Sequence, residues 1–271
     1  MTEPPIPDLA AHPDDKGTAR CRVESRAGGE VAWITLEHIN KMNSMGTAMI
    51  DSFLEEISQL QHRTELRVVV VTGSGSRAFV GGAFLPELFS LDAVSSRNFI
   101  FRLHLLFQAL REFPVPVIAR VQGYCVGAGT ELAAACDFRV ADKSAIIGMP
   151  EVRVGMPSLI EAALLPMLVG WGKTREMLMT GANYSAAEGQ AMGFFETVCE
   201  EDEIDLALEK KISQIFAGGA QAIRAQKKLI RAWEELRPSE SILLGLDLMS
   251  RAYESGEPHK MISPLISKNR K

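Results

Sequence analysis

The chain has 271 residues, of which 34 are acidic and 29 basic, so its formal net charge is −5 and its pI is near 5.7. That balance gives no support to a nucleic-acid or anionic-membrane binder, which needs an excess of clustered Lys and Arg. With 46% hydrophobic and 23% charged residues the chain can bury a large core, which excludes disorder for its bulk, and no window reaches the ~18 unbroken apolar residues of a membrane span.

In chain order, residues 1–20 hold Pro4, Pro5, Pro7 and Pro13 among Glu3, Asp8, Asp14 and Asp15. They fit neither a secretory signal nor an Arg-rich transit peptide and read as a flexible arm. A strand is predicted over 31–36, after the turn signal Gly28-Gly29, and a helix over 45–60. The β-branched run at 68–72 reads as a strand buried on both faces. A helix over 99–113 ends at Pro114 and Pro116, and a strand follows over 117–121. A helix over 128–135 and a strand over 138–141 complete the alternation. Beyond residue 150 the chain turns helical, over 159–168, 173–180, 186–192, 204–216, 220–236 and 239–253. The coarse expectation is an α/β core with a helical C-terminal third. Cys21, Cys125, Cys136 and Cys199 show neither metal spacing nor a disulfide framework, which predicts a reducing, cytoplasmic setting.

Several motifs compete for the chemistry. The run from Val68 through Gly73 and Gly75 to Ala78 has the GxGxxA outline of a dinucleotide site, with Asp92 about twenty residues on. A dinucleotide site needs a helix directly after the glycines, whereas residues 79–83 look extended and Pro86 follows. There is no P-loop and no GxSxG elbow, and the five histidines contain no i, i+4 pair that would begin a zinc site. What remains is the stretch 122–132, with Gly123, Gly127 and Gly129. Its small residues let backbone approach a ligand, and a helix opening at Ala128 would aim free N–H groups at an oxyanion. Glu131 falls in the first turn of that helix, where the macrodipole favours the ionised form. Glu151 follows on a turn stiffened by Pro150. Each acid alone also suits a plain role, Glu131 in the helix dipole and Glu151 on a solvated loop.

Taken together, these blocks resemble the crotonase superfamily, the enoyl-CoA hydratase and isomerase group, from about Cys21 to Arg270. Residues 37–45, ending Asn43-Ser44-Met45, are similar to its NRPxxxNAL segment, and 78–83 to its AFxAGAD loop. Residues 117–137 are similar to its IAxVxGxxxGxGxELAxxCD block, and 147–151 stand where it has FGxPE. Residues 220–231 and 257–271 look like its C-terminal helix and charged tail. Departures cluster in three places. His38 replaces an Arg. Phe84 replaces the Asp of GAD, with Pro86 after it. The segment after Glu151 is one residue shorter, and residues 157–161 replace a PGAGG stretch.

The resemblance implies an α/β fold of repeated ββα units in two roughly perpendicular sheets. It implies a core over 21–200 carrying the active site, and a helical oligomerisation region over 201–271 that forms a homotrimer or hexamer. It implies an acyl-CoA substrate, with coenzyme A only as part of that substrate and no cofactor, metal, nucleic acid or membrane partner. Carried over by position, the backbone N–H groups of Ala83 and Ala128 form the oxyanion hole, and Glu131 and Glu151 are the hydratase glutamates. Glu131 is expected to take the proton from water and Glu151 to supply one at Cα. Substrate contacts are expected at Phe84, Leu85, Gly127, Met149, Pro150, Ser158 and Leu159. The implied function is reversible hydration of a 2-enoyl-CoA. Isomerisation, decarboxylation, thioester hydrolysis and a noncatalytic RNA-binding or assembly role are the alternatives, and retention of both glutamates favours hydration over a one-carboxylate isomerase. Lys227, Lys228 and Arg231 read as a solvated helix face or a contact for CoA phosphates. Leu206, Ile212, Ile215, Leu243, Leu244 and Leu248 are expected to be buried by oligomerisation. Bulk from Phe84, Phe89 and residues 158–161 predicts a narrow acyl pocket.

Overall fold

The structure, a computed structural model, describes residues 10–268. It opens with β1 (Thr18–Arg26), β2 (Gly29–Glu37), α1 (Thr47–Leu60), β3 (Leu66–Gly73) and β4 (Ala78–Val80). Next come α2 (Leu85–Ser90), α3 (Ala93–Arg111), β5 (Val117–Val121), β6 (Tyr124–Val126), α4 (Ala128–Ala135), β7 (Phe138–Asp142) and β8 (Ile146–Gly148). Two 3-10 turns, Pro150–Val154 and Ile160–Leu164, lead into α5 (Leu165–Thr180), β9 (Asn183–Ser185), α6 (Ala186–Ala191) and β10 (Thr197–Cys199). Four helices finish the chain: α7 (Ile204–Ala217), α8 (Ala220–Glu235), α9 (Pro238–Glu254) and α10 (Glu257–Lys268).

The strands form two sheets. One has six strands in the order β1-β2-β3-β5-β7-β10, parallel except for the β1–β2 hairpin, and the other four in the order β4-β6-β8-β9. β3 shows why its sequence is a continuous run of valines. Val69 and Val71 join the main core with α1, α3 and α4, while Val68 and Val70 join Val31, Ile118 and Val140 in a second core under α7. With side chains alternating between faces, a strand covered on both sides must be apolar at every position. The α7 side of that second core is Ile204, Leu208, Ile212 and Ile215, at helical spacing. Ile212 and Ile215 are therefore covered by this chain's own sheet, not by a partner, whereas Leu206 and Leu243 are exposed.

The glycines after β3 are followed by a turn and then the strand β4, so no helix opens where a dinucleotide phosphate would sit. α5 kinks at Gly170 (φ 76°, ψ 158°), which divides it close to where the sequence suggests two helices.

α1 has an unusual start. Its N-cap is Gly46, which has no side chain to satisfy the orphan N–H groups of the first turn. Two remote carboxylates do so instead. Asp15 Oδ2 accepts the Ala48 N–H at 2.8 Å, and Glu87 Oε2 accepts the Thr47 N–H at 2.9 Å while its other oxygen takes the Thr47 hydroxyl. A Cβ on Gly46 would lie 2.3 Å from Asp15 Oδ2 and 2.6 Å from Glu87 Oε2, so only glycine admits both acids. Within the arm expected over 1–20, Asp15 is thus buried and β1 begins at Thr18, while residues 1–9 lie outside the described residues.

Candidate active site

A cavity of about 790 Å³ lies where the loop after β4, the helices α2 and α3, the start of α4 and the segment 150–160 converge. The convergence depends on glycines. Gly127 adopts φ 56° and ψ −124°, which turns the chain from β6 into α4; a Cβ there would lie 2.6 Å from Glu151 Oε1 and 3.7 Å from Gly82 Cα. Two residues on, a Cβ on Gly129 would lie 2.2 Å from the Val80 carbonyl, so α4 rests directly on β4.

Two backbone N–H groups at the cavity are candidate donors. Ala128 is the first residue of α4, and its N–H has no partner within the helix. Ala83 pairs with Met45 in a parallel bridge that uses the groups on either side of it: Met45 N–H donates to the Gly82 carbonyl at 2.9 Å, and Phe84 N–H to the Met45 carbonyl at 2.8 Å. Because successive groups in an extended chain point to opposite sides, the Ala83 N–H points away from Met45. Ala83 and Ala128 both line the cavity.

Glu131 and Glu151 line it too. Glu131, on the first turn of α4, accepts the Ala162 N–H at Oε1 (3.0 Å), and Glu151 Oε2 accepts the Ser158 hydroxyl at 2.9 Å. Thr130 fixes α4 on two neighbouring strands of the four-stranded sheet, with its hydroxyl 2.7 Å from the Cys125 carbonyl on β6 and 2.9 Å from that of Gly148 on β8. Burial pushes the Glu131 carboxyl well above the usual carboxylate range, outweighing the Ala162 hydrogen bond, and the charges of Glu151 and Glu161 push it the same way. Burial also raises Glu151, against the Ser158 hydrogen bond. The expectation that the helix dipole keeps Glu131 readily ionised is therefore corrected: desolvation is the larger effect.

Of the other predicted contacts, Leu85, Gly127, Pro150 and Leu159 line the cavity. Ser158 reaches it through its hydrogen bond to Glu151. Met149 is buried in the main core, and Phe84 turns inward, 1% exposed, its ring 5.2 Å from that of His38 and 6.0 Å from that of His12. Phe89 is 94% exposed and is not on the cavity wall. The bulk expected from these two aromatics comes instead from Leu88, Leu91, Ile100 and Leu103 of the α2–α3 segment, together with Leu159 and Ile160. The α2–α3 residues were hidden in the sequence because their spacing is that of any core-facing helix. Ile160 has φ +34°, a strained value for a β-branched residue that costs about 1–3 kcal/mol.

Within the basic cluster, Lys228 is exposed as expected, and the reading of Lys227 is corrected. Lys227 is buried, with Nζ 2.7 Å from Asp137 Oδ2 and 3.1 Å from the carbonyls of Leu110 and Val115, and Arg231 pairs with Glu234 and Glu235. Neither a solvated face nor a phosphate contact describes Lys227. Among the described residues no group of three or more His, Cys, Asp or Glu is arranged to hold a metal ion, and no helix is long and apolar enough to cross a membrane.

Residues 26–257 match the family described as enoyl-CoA hydratase/isomerase. A Bacillus subtilis protein named as an enoyl-CoA hydratase/isomerase is 32% identical, over 85% of this chain and 87% of its own. The crotonyl-CoA hydratase of Syntrophomonas wolfei is 31% identical over 70% of this chain and 75% of its own. A crystal structure of an enoyl-CoA hydratase from Mycobacterium smegmatis superposes with a TM-score of 0.87 at 26% identity, covering 92% of this chain and 96% of that one.

Proposed function

Because this chain belongs to the enoyl-CoA hydratase/isomerase family and has the crotonase fold, we propose that it catalyses the reversible addition of water across the 2,3 double bond of an enoyl-CoA thioester. The observation that carries this reading is the placement of two carboxylates, the buried Glu131 and the half-buried Glu151, on one cavity that Ala83 and Ala128 also line. Glu131, ionised, takes a proton from water as the oxygen bonds to Cβ; the electron pair moves to the thioester oxygen as an enolate. The two alanine N–H groups stabilise that oxygen, and each such donor is worth ~10²–10³ in rate. Glu151, protonated for this step, delivers the proton to Cα.

Leu159 and Ile160 stand on the wall within the segment where the resembled family has its small-residue PGAGG stretch, so the acyl end is read as narrow, favouring a short, branched or functionalised acyl group. Discrimination of ~1–3 kcal/mol per methylene makes the preference graded. Coenzyme A enters only as part of the substrate, and the two glutamates leave no step to a metal. A homotrimer or hexamer in a reducing, cytoplasmic setting completes the reading, supported by four free cysteines and by apolar side chains exposed on α9 and α10.

The test is incubation with enoyl-CoAs of different length and branching, following loss of the conjugated thioester absorbance, with and without EDTA. Hydration unaffected by chelation is the expected result. No turnover on any enoyl-CoA, or activity lost to EDTA and restored by a divalent ion, would overturn the reading. A kcat/KM that climbs steadily from four to ten carbons would overturn the narrow pocket alone.

A further inference from the structure

A third acid is buried beside the cavity. Glu161 follows Ile160 in the 3-10 turn and lies behind the cavity wall rather than on it. Its Oε1 is 2.9 Å from Nδ1 of His104 on α3, and its Oε2 is buried without a hydrogen-bond partner. The next residue, Ala162, donates its N–H to Glu131. The chain enters this turn through Ile160 at φ +34°, a conformation that persists only where the surroundings hold it. His104 is partly exposed, so the pair leads from the surface of α3 to the amide that grips Glu131.

We propose that Glu161, clamped by His104, is a positioning residue for Glu131. It holds the 160–162 turn so that the Ala162 amide occupies one oxygen of Glu131 and leaves the other for water. This rests on the reading of Glu131 as the base.

The charged neighbours agree with it. His104 and Arg111 act on Glu161 from α3, with Arg111 itself bonded to Glu234 at 2.9 Å, while Glu131 faces it from α4. Burial pushes Glu161 upward and His104 pulls it down; the negative charge of Glu161 in turn adds to the upward push on Glu131. Glu161→Gln removes the charge while keeping a polar partner for His104, and Glu161→Ala removes both.

The experiment compares the full chain with Glu161→Gln, Glu161→Ala and Glu131→Gln by infrared titration and by kcat/KM against pH on an enoyl-CoA. A buried neutral carboxyl gives its own C=O stretching band, and the band absent from Glu131→Gln marks Glu131. In Glu161→Gln and Glu161→Ala that band should disappear at lower pH than in the wild type, and the acid limb of kcat/KM should move the same way. Glu161→Ala should also lose kcat by up to ~10²-fold with little change in KM, and Glu161→Gln should recover most of it. A Glu131 band that stays in place in both Glu161 variants overturns the proposal, since a purely structural role would lower turnover without moving the titration. Full hydration by Glu131→Gln would instead overturn the reading of Glu131 as base, while the infrared comparison would still decide whether Glu161 acts on it.

Discussion

Helices α4 and α9 have nearly opposite relations to the rest of the chain. All eight residues of α4 are buried, including Thr130 and Glu131, whereas Ser241 is the only buried residue of α9's seventeen. α4 sits in the main core against β4, β6 and α3, so its side chains are small and its one acid is desolvated. α9 turns Ile242, Leu243, Leu246 and Met249 outward, Leu243 being 62% and Leu246 64% exposed. Placing a charge where α4 is buried perturbs that charge, which is how a catalytic proton affinity is set. Leaving apolar side chains exposed along α9 perturbs nothing inside the chain, and instead favours association.

The largest test of the contrast is at α4. Glu131→Gln and Glu151→Gln should each lower kcat by ~10²–10⁴ while KM stays close to the wild-type value, and near-normal hydration in either would end the two-carboxylate mechanism. In the proposed mechanism Glu131 works ionised, and its affinity for protons is raised, so kcat/KM should fall with decreasing pH already above the ordinary carboxylate range. Stability should move the other way. A carboxyl raised in the folded state costs stability as pH rises past its unfolded value, so Glu131→Gln should unfold at a higher temperature than wild type at neutral pH.

Next in size is the polar anchor of α8. Lys227→Ala should cost about 3 kcal/mol in urea unfolding, the low end for a broken buried pair because Asp137 stays partly hydrated. If the loss were below ~0.5 kcal/mol, α8 would be as weakly tied to the core as α9. Gly129→Ala should cost about 1–3 kcal/mol, since the new Cβ would meet the Val80 carbonyl. The smallest effect on the single chain belongs to α9. Leu243→Ser with Leu246→Ser should change its stability by less than ~0.5 kcal/mol per site yet shift sedimentation toward smaller species. Unchanged sedimentation would mean that this face contacts water alone.

The same contrast explains what could be seen in the sequence. Long elements with one dominant period were legible: the valines of β3, the apolar stripe of α1 (Met49, Ile50, Phe53, Ile57), and the helices α7 to α9. β1 was not, because its polar residues alternate on an antiparallel edge, nor were three-residue strands such as β9 and β10, which tertiary pairing creates. Glu131 and Glu151 stood out through their glycine and proline surroundings. Glu161 and His104 did not, since 57 residues separate them and only the packing of α3 on the 3-10 turn brings them together. Phe84 misled for a related reason: an aromatic beside a glycine loop signals a ligand wall or a core plug equally, and the buried ring of His38 made it a plug.

The caps of α1 bear on where this gene can be cut. A reading frame restarted at Thr18 would preserve all ten strands and all ten helices of the described residues, yet it would delete Asp15 and leave the Ala48 amide to find another acceptor. A lost cap is worth about 0.5–2 kcal/mol. The damage would not stay at α1, because His12 leaves with Asp15, and its ring packs on Phe84, the neighbour of Ala83. A form that begins at Thr18 would therefore couple a trimmed terminus to a loosened loop at Phe84 and Ala83.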